Sequence, residues 1–522
     1  MNFIVLDKFI GRIKRTRLTK IRRGYQILKK QNRLSLLLQL KNALSKTPVK
    51  SLHLLKQVSY QKNINIELST RQYLTERMLG TSFNESILIY LGSDRPVRYP
   101  LPKEWREVLK NKGLNVDNFF SAMMWYGYSF MHWTKGALYG LTSILYLLKR
   151  KKKIGNSVYF SDLNEQCISV DPNAKNIINW YLRWRGRTDN ISNICHSVRA
   201  TSHFKLKNFD VFYSDGLPLL SSLTVLQYVF FTIYFLAYSL VRIPFQPLHG
   251  FFLVELLKVK RFELADSSDL SEDYLFNNST PFYRPIWTYI AELRGSRVLF
   301  YFYSTNNENF QRECIENLDN TWHLISWPHY LVWDQYQVDF VNRFNQNFGV
   351  NIRNVGPIWF SNDGHCEEDL SNAVAVFDVF PRDSKIYITY GFDFEYYVPE
   401  VSIQFLDDIY LTLSENNMIF AHKVKRRSNF FHEKYIEKLE SLKVREHYLE
   451  IDPMIAAFDI IEKAKACISM PFTSTAIIAK SLGKPSIYYD PSGILMKDDK
   501  AAHGIEVINS IDELRDWLAS LK

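Results

Sequence analysis

One stretch near the C-terminus constrains the fold most: Ala466-Cys-Ile-Ser-Met-Pro-Phe-Thr-Ser-Thr-Ala-Ile-Ile-Ala-Lys-Ser-Leu-Gly-Lys-Pro-Ser-Ile-Tyr-Tyr-Asp490. Ala466 to Ser469 is a short apolar run suited to a buried strand. Pro471 breaks it. Thr473 and Ser474 are N-cap types, and Ala476 to Leu482 predicts a short apolar helix. Gly483 stops that helix, with Pro485 just beyond. Ile487 to Tyr489 predicts a second strand. The whole is a βαβ unit, which demands a parallel sheet. Ligands of such sheets sit at the carboxyl ends of the strands. There Thr473, Ser474 and Thr475 would lie at a helix N-terminus, where free N–H groups and the helix dipole attract an anion such as phosphate. Plain helix capping by Ser474 accounts for the same residues.

The rest of the C-terminal third repeats the alternation. Strands are predicted at Val374–Val379, Met418–Ala421, Tyr448–Ile451 and Gly504–Ile508. Helices are predicted at Pro399–Leu413, Phe430–Leu442, Pro453–Lys465 and Ile511–Leu521, the last with Ser510 as its cap. Residues 372–522 therefore read as one doubly wound α/β domain. Residues 356–368 are rich in turn formers and mark the boundary. Before it, strands are predicted at Val158–Phe160, Val211–Tyr213 and Val298–Tyr303, and helices at Trp287–Leu293 and Val332–Phe348. Residues 51–355 thus form an N-terminal α/β domain with insertions.

Charge separates a third region. Residues 1–50 hold 14 Lys/Arg and one acid, Asp7, so the +11 of the 522-residue chain resides there and the remainder is near −2. Its basic and apolar residues alternate as in a basic amphipathic arm, which favours an anionic membrane surface. No nucleic-acid fold signature supports the competing partner. Met1 to Ile10 lacks the long apolar core and cleavage site of a secretory signal. The five cysteines are scattered, without a Cys-x-x-Cys pair. That argues against a disulfide framework or a zinc site and for a reducing compartment. Segments 119–148 and 216–241 are long enough to span a bilayer. Two spans would export the Lys149–Lys153 cluster, against the positive-inside tendency. Interfacial contact or a buried position in the N-terminal domain is therefore expected.

Several motifs across residues 280–520 resemble those of the PFTS-motif polysaccharide biosynthesis proteins. Pro471-Phe-Thr-Ser474 is similar to the motif that names the family. Val376-Phe-Asp-Val-Phe-Pro-Arg382, Lys423-Val-Lys-Arg426, Ile451-Asp-Pro453, Tyr488-Tyr-Asp-Pro-Ser-Gly493 and Arg284-Pro-Ile-Trp287 resemble its other landmarks. Val424 departs from the proline of the family's Lys-Pro-Lys-Arg. The resemblance implies a GT-B-like glycosyltransferase: two doubly wound α/β domains facing a cleft. A nucleotide sugar would be the donor co-substrate and a glycan or lipid-linked molecule the acceptor, with no other cofactor; the residues themselves, lacking a His/Cys cluster, imply no metal. It would work at the inner face of the cytoplasmic membrane. A sugar-nucleotide epimerase and a non-catalytic assembly component are the competing readings.

On this reading Pro471, Phe472, Thr473, Ser474 and Thr475 meet the donor phosphate. Lys423, Lys425 and Arg426 neutralise charge on the leaving nucleotide. Asp378, Arg382, Tyr396, Tyr397 and Asp490 are donor-site candidates at strand ends and loops. A general base would come from the N-terminal domain. Asp162 and Asp215, each just after a predicted strand, are the candidates, although carboxylates there are commonly turn residues.

Overall fold

The structure, a computed structural model, describes residues 3–50, 65–149, 156–163, 167–173, 176–186, 188, 190–199, 203–279, 282–305, 308, 310–312, 321–345, 349–358, 366–381, 396–424 and 432–521. Helices come first: α1 (Phe3–Lys30), α2 (Leu36–Lys46), α3 (Ile66–Met78), α4 (Thr81–Leu91), α5 (Lys103–Asn111) and the long α6 (Asn118–Lys149). The basic segment is not a free arm along its second half. Ile21, Tyr25 and Leu28 are buried, and α1 crosses α4 at two glycines. A Cβ on Gly24 would lie 2.0 Å from the Leu88 carbonyl oxygen, and one on Gly92 2.0 Å from that of Lys20. Only a residue without Cβ lets the backbones approach so closely.

The first sheet is built from β1 (Ser157–Phe160), α7 (Ile177–Arg185), β2 (Asn193–His196), β3 (Phe204–Leu206) and β4 (Phe209–Tyr213). Helices α8 (Ser222–Arg242), α9 (Leu248–Phe251) and α10 (Leu253–Leu264) follow. It continues with β5 (Asp273–Asn277), α11 (Ile286–Leu293), β6 (Arg297–Tyr301), β7 (His329–Val332), α12 (Gln335–Phe344) and β8 (Asn351–Asn354). Strand order is β3-β4-β2-β1-β5-β6-β7-β8, parallel except for the β3–β4 edge pair. The helix expected over Val332–Phe348 is instead the end of β7 followed by α12, because the Asp334 side chain caps the helix by accepting from Gln337 N at 3.0 Å.

The second sheet comprises β9 (Ala373–Phe377), α13 (Pro399–Glu415), β10 (Ile419–Lys423), α14 (Glu433–Lys443), β11 (Tyr448–Ile451) and α15 (Ala457–Lys463). Then come β12 (Ala466–Ser469), α16 (Thr475–Ser481), β13 (Ser486–Tyr489), β14 (Glu506–Ile508) and α17 (Ile511–Ser520). It is wholly parallel, in the order β11-β10-β9-β12-β13-β14. The focal βαβ unit forms as expected, and Ser510 accepts from Glu513 N at 3.3 Å as the cap of α17. The helix expected from Pro453 starts only at Ala457. Asp452 first closes a turn, accepting from Met454 N at 2.7 Å. The predicted two doubly wound α/β units are thus present. Helices on both faces explain why β5 and β9 are buried along their whole length.

Segments 119–148 and 216–241 become α6 and α8. They run antiparallel: Trp133 Nε1 donates to Ser239 Oγ at 3.0 Å, and Tyr228 donates to Ser143 Oγ at 3.3 Å. Each buries one face against α9 and α10 and exposes the other. By length and composition α8 could cross a membrane.

Candidate functional site

In the second sheet the chain winds outward one way through β9, β10 and β11 and the other way through β12, β13 and β14. The reversal leaves a switch point between β9 and β12, where the loops diverge and a ligand can enter. Asp378 leaves β9 there and the Pro471–Ser474 loop leaves β12. Met470 N donates to Phe377 O at 2.8 Å and joins them.

The Pro471–Ser474 loop is held from several sides. Phe472 adopts φ +65°, left-handed for a side chain that disfavours it. Its ring lies among Phe310, Tyr396 and Tyr397, with centroids 4.9, 5.5 and 5.8 Å away. The Tyr397 hydroxyl donates to Pro471 O at 3.0 Å, and that of Tyr488 to Thr473 O at 2.6 Å. Thr475 Oγ1 lies 2.7 Å from Ser469 Oγ, and Thr473 Oγ1 donates to Met470 O at 2.8 Å. Ser474 occupies the N-cap position of α16, yet its side chain makes no capping bond. The capping expected from sequence is absent because the hydroxyl points to Thr305, in the loop after β6 of the first sheet, instead, accepting from its N–H at 3.1 Å.

Two donor-site candidates are built into the core. The Asp490 carboxylate is buried and accepts from Tyr396 Oη, Ser492 N and Leu495 N, each at 3.0 Å. Those bonds shape the turn after β13. Asp378 is also buried. It accepts from the Tyr435 hydroxyl and lies 3.3 Å from His422 Nε2, whose Nδ1 is 2.9 Å from Tyr448 Oη. Burial, reinforced by the Asp378 charge, pushes the Tyr435 hydroxyl well above its ordinary value, so it stays a proton donor. His422 and Lys423 belong to β10 itself rather than to the loop beyond it. Lys423 Nζ donates to Pro453 O at 3.1 Å. Lys425, Arg426 and Arg382 lie outside the described residues.

Beside this network a cavity of about 780 Å³ opens at the carboxyl ends of β9, β10 and β11. Phe380, Val424, Pro453 and Met454 line it from the strand-end loops, and Tyr435, Glu440 and Lys443 from α14. Lys443 Nζ lies 2.8 Å from Glu440 and 3.3 Å from Glu450. The cavity therefore pairs apolar walls with a few convergent charged groups.

The first sheet reverses between β1 and β5. Asp162 stands at that switch point with φ +55°. Its N–H donates to Ser197 Oγ at 3.0 Å and its carbonyl accepts from Asn277 Nδ2 at 3.2 Å, leaving an exposed carboxylate against Ser161 Oγ at 3.0 Å. Asp215 lies two strands away, after β4. It accepts from Leu217 N at 3.1 Å and sits 4.0 Å from the buried Arg261 guanidinium, a turn residue and counter-ion. One carboxylate escaped the sequence reading. Glu76 on α3 accepts from Tyr283 N at 3.0 Å. Burial raises its pKa, and the Asp162 charge adds to the rise. A carboxyl perturbed this way beside a second carboxylate is a general acid/base candidate. Nothing in Tyr73-Leu-Thr-Glu-Arg77 marks it, because α3 reaches the site only through tertiary packing.

The two carboxyl edges face one another along a bonded seam. Phe310 packs on Phe472 and Tyr488, the latter with centroids 5.4 Å apart. Met496 N donates to Gln311 O at 3.0 Å, and Gln311 N donates to Asp499. Asp334 Oδ2 lies 2.6 Å from His503 Nδ1. The chain after β6 thus lies across the carboxyl edge of the second sheet.

No curated protein matches the chain. Among solved structures it overlaps a UDP-forming α,α-trehalose-phosphate synthase from Burkholderia xenovorans at 10% identity and TM-score 0.34, covering 70% of this chain and 91% of that one. A UDP-glucosyltransferase from Polygonum tinctorium overlaps at 10% identity and TM-score 0.33, over 65% and 81%. A UDP-GlcNAc 2-epimerase from Methanocaldococcus jannaschii overlaps at 9% and 0.34, over 70% and 91%. The family comparison is decisive: the model of the polysaccharide biosynthesis PFTS motif proteins matches residues 230–518, more than half of the chain and all of the second sheet, and the chain belongs to that family.

Proposed function

We propose that this protein is a glycosyltransferase of surface polysaccharide biosynthesis, moving a sugar from a nucleotide-activated donor to a glycan or lipid-linked acceptor. One observation carries the reading: two parallel sheets present their carboxyl edges to each other across the Ser474–Thr305 contact, with a cavity on the second edge. The nucleotide occupies that cavity, its ribose hydroxyls toward Glu440 and Glu450 and its base against Phe380 and Met454. Its phosphates run toward the Pro471–Thr475 loop and the cations that follow β10. Lys425 and Arg426 stabilise the charge that develops on the leaving diphosphate. The acceptor enters from the first sheet, where Asp162 and Glu76 take its proton. No metal or further cofactor takes part, and the protein works, as a peripheral or monotopic protein, at the cytoplasmic face of a bacterial inner membrane.

A thermal-shift screen of the full chain against CMP, UDP, GDP and ADP tests this. One nucleotide should raise the melting temperature, and the matching nucleotide sugar should be consumed only when an acceptor is supplied. Conversion of the sugar nucleotide without acceptor would make the protein an epimerase. Absence of any shift would reject the nucleotide site.

A further inference from the structure

The outward faces of α6 and α8 form an apolar surface that the active cleft does not use. On α6, Phe119, Met123, Phe130, Leu138, Leu141 and Leu145 are all exposed, Phe119 at 73%. They recur at one- and two-turn intervals, so they share one stripe of the helix. On α8, Leu223, Leu226, Phe230, Ile233 and Val241 do the same, with Phe230 at 72%. The helices are antiparallel and paired side by side, so the stripes merge into one face. Contiguous apolar surface of this extent is foreign to a water-exposed monomer and marks an interaction site.

Charge selects the occupant. Neither α6 nor α8 contains an Asp or Glu; their charged residues are Lys135, Lys149 and Arg242. At the margin Lys260 lies 5.3 Å from the centre of the Phe231 ring, its ammonium paired with Glu263 at 3.2 Å. An apolar face whose own two helices carry only cationic charge, together with several aromatic rings, matches the interface of a bilayer containing anionic lipid. We infer that the α6–α8 face is a monotopic membrane seat, embedded in the headgroup and upper acyl region with both helix axes in the membrane plane.

Packing excludes spanning by either helix, although α8 is long and apolar enough. Their inner faces lie along α9 and α10. Trp125 stacks on Phe251 at 4.5 Å, Ser129 donates to Pro247 O, Gly136 fits against Leu253, and Arg261 Nη1 donates to Ser143 Oγ at 3.3 Å. That contact follows α6 from Trp125 to Ser143. A spanning pair would drag α10 into hydrocarbon with Glu255, Lys258, Lys260, Arg261 and Glu263. Lying flat leaves those charges on the protein side.

The seat also adjoins the cleft. Buried Arg261 donates to Pro218 O at 2.7 Å and faces Asp215, so the loop leaving β4 is fixed to α10 just before α8 begins. The membrane face therefore ends at the carboxyl edge of the first sheet. Resting on the glycosyl-transfer reading, this makes a lipid-linked acceptor the one delivered to the cleft from the bilayer.

Flotation of the full-length protein with vesicles of phosphatidylcholine, alone or mixed with phosphatidylglycerol, tests the seat. The wild type should float, more strongly with the anionic lipid. A Phe130→Ser, Leu141→Ser, Phe230→Ser, Ile233→Ser variant should lose vesicle binding at least about tenfold, with unchanged nucleotide-induced thermal shift. Should that variant fail to fold, a polarity-sensitive fluorophore on Leu141→Cys should shift blue when vesicles are added. A Leu141→Cys fluorophore quenched best by quenchers at the bilayer centre, rather than by those near the headgroups, would overturn the monotopic arrangement. Flotation that survives the four substitutions, a fluorophore that does not respond, or substitutions that only convert a dimer to a monomer would overturn the seat. A failed glycosyl-transfer reading shows differently, as intact vesicle binding without any nucleotide shift.

Discussion

The Ser474 hydroxyl lies 3.1 Å from Thr305 N and 3.0 Å from Thr305 Oγ1, tying the loop after β12 of one sheet to the loop after β6 of the other. Half-buried hydrogen bonds contribute about 0.5–1.5 kcal/mol each. Ser474→Ala and Thr305→Val should each lower stability on that scale. In a double-mutant cycle read by denaturant unfolding they should couple, because both remove the hydroxyl–hydroxyl contact, while the Thr305 N–H bond is lost only in Ser474→Ala. Additive losses would show that the two residues act independently.

Phe472 supplies an unusual ordering of substitutions. At φ +65° any Cβ is strained, while glycine is not. Removing the ring costs the packing against Phe310, Tyr396 and Tyr397 in either replacement. Phe472→Gly should therefore be more stable than Phe472→Ala by about 1 kcal/mol, the reverse of the usual order. Thermal denaturation of the two variants decides it, and an alanine variant that melts higher would contradict the strain.

The cavity at β9–β11 can be filled without touching the core. Met454 is 51% exposed on its rim. Met454→Trp should weaken nucleotide binding at least about tenfold, since a bulky ring would displace a ligand from an apolar pocket, while the melting temperature without ligand stays the same. Unchanged affinity in calorimetry would move the nucleotide elsewhere.

Burial holds His132 and His249 at about 4, below the usual 6.5. The unfolded chain binds a proton near 6.5, whereas the folded chain resists until about 4. In that window the unfolded state carries more protons, so stability falls as pH falls. His249→Gln should flatten the slope of melting temperature against pH between these values. An unaltered slope would assign the acid sensitivity to other groups.

The α1–α4 crossing predicts that Gly24→Ala is poorly tolerated. Its Cβ would meet the Leu88 carbonyl, a backbone atom that cannot turn aside. A loss of about 1–3 kcal/mol is expected from overpacking, together with faster proteolysis within α1. A neutral substitution would mean that α1 is not seated on α4.

The local pattern of the chain was enough to specify its second sheet. Strand β12, helix α16 and strand β13 are each bounded by their own breakers, and the central strands β9, β12 and β13 are short, largely apolar runs. The PFTS motif and its companions likewise mark the family from residues alone. The first sheet was only partly legible. Strand β5 reads Asp-Tyr-Leu-Phe-Asn, polar at both ends, and Asp273 is buried because Arg297 clamps it with bonds at 2.7 and 2.6 Å, the Tyr181 hydroxyl donates to it and Arg185 lies 3.3 Å away. Groups from another strand and from α7 made that burial possible, and no window around residue 273 contains them. The same holds at the site. Sequence placed Ser474 at a helix start, and it is there. That its hydroxyl serves Thr305 rather than the helix depends on two sheets meeting edge to edge. Asp490 and Asp378 were visible as carboxylates near strand ends. Whether a carboxylate faces a ligand or closes a turn is decided by which hydroxyls and N–H groups surround it, and those come from residues far away in the chain. Glu76 carries no signal at all, since only the fold brings α3 beside Asp162.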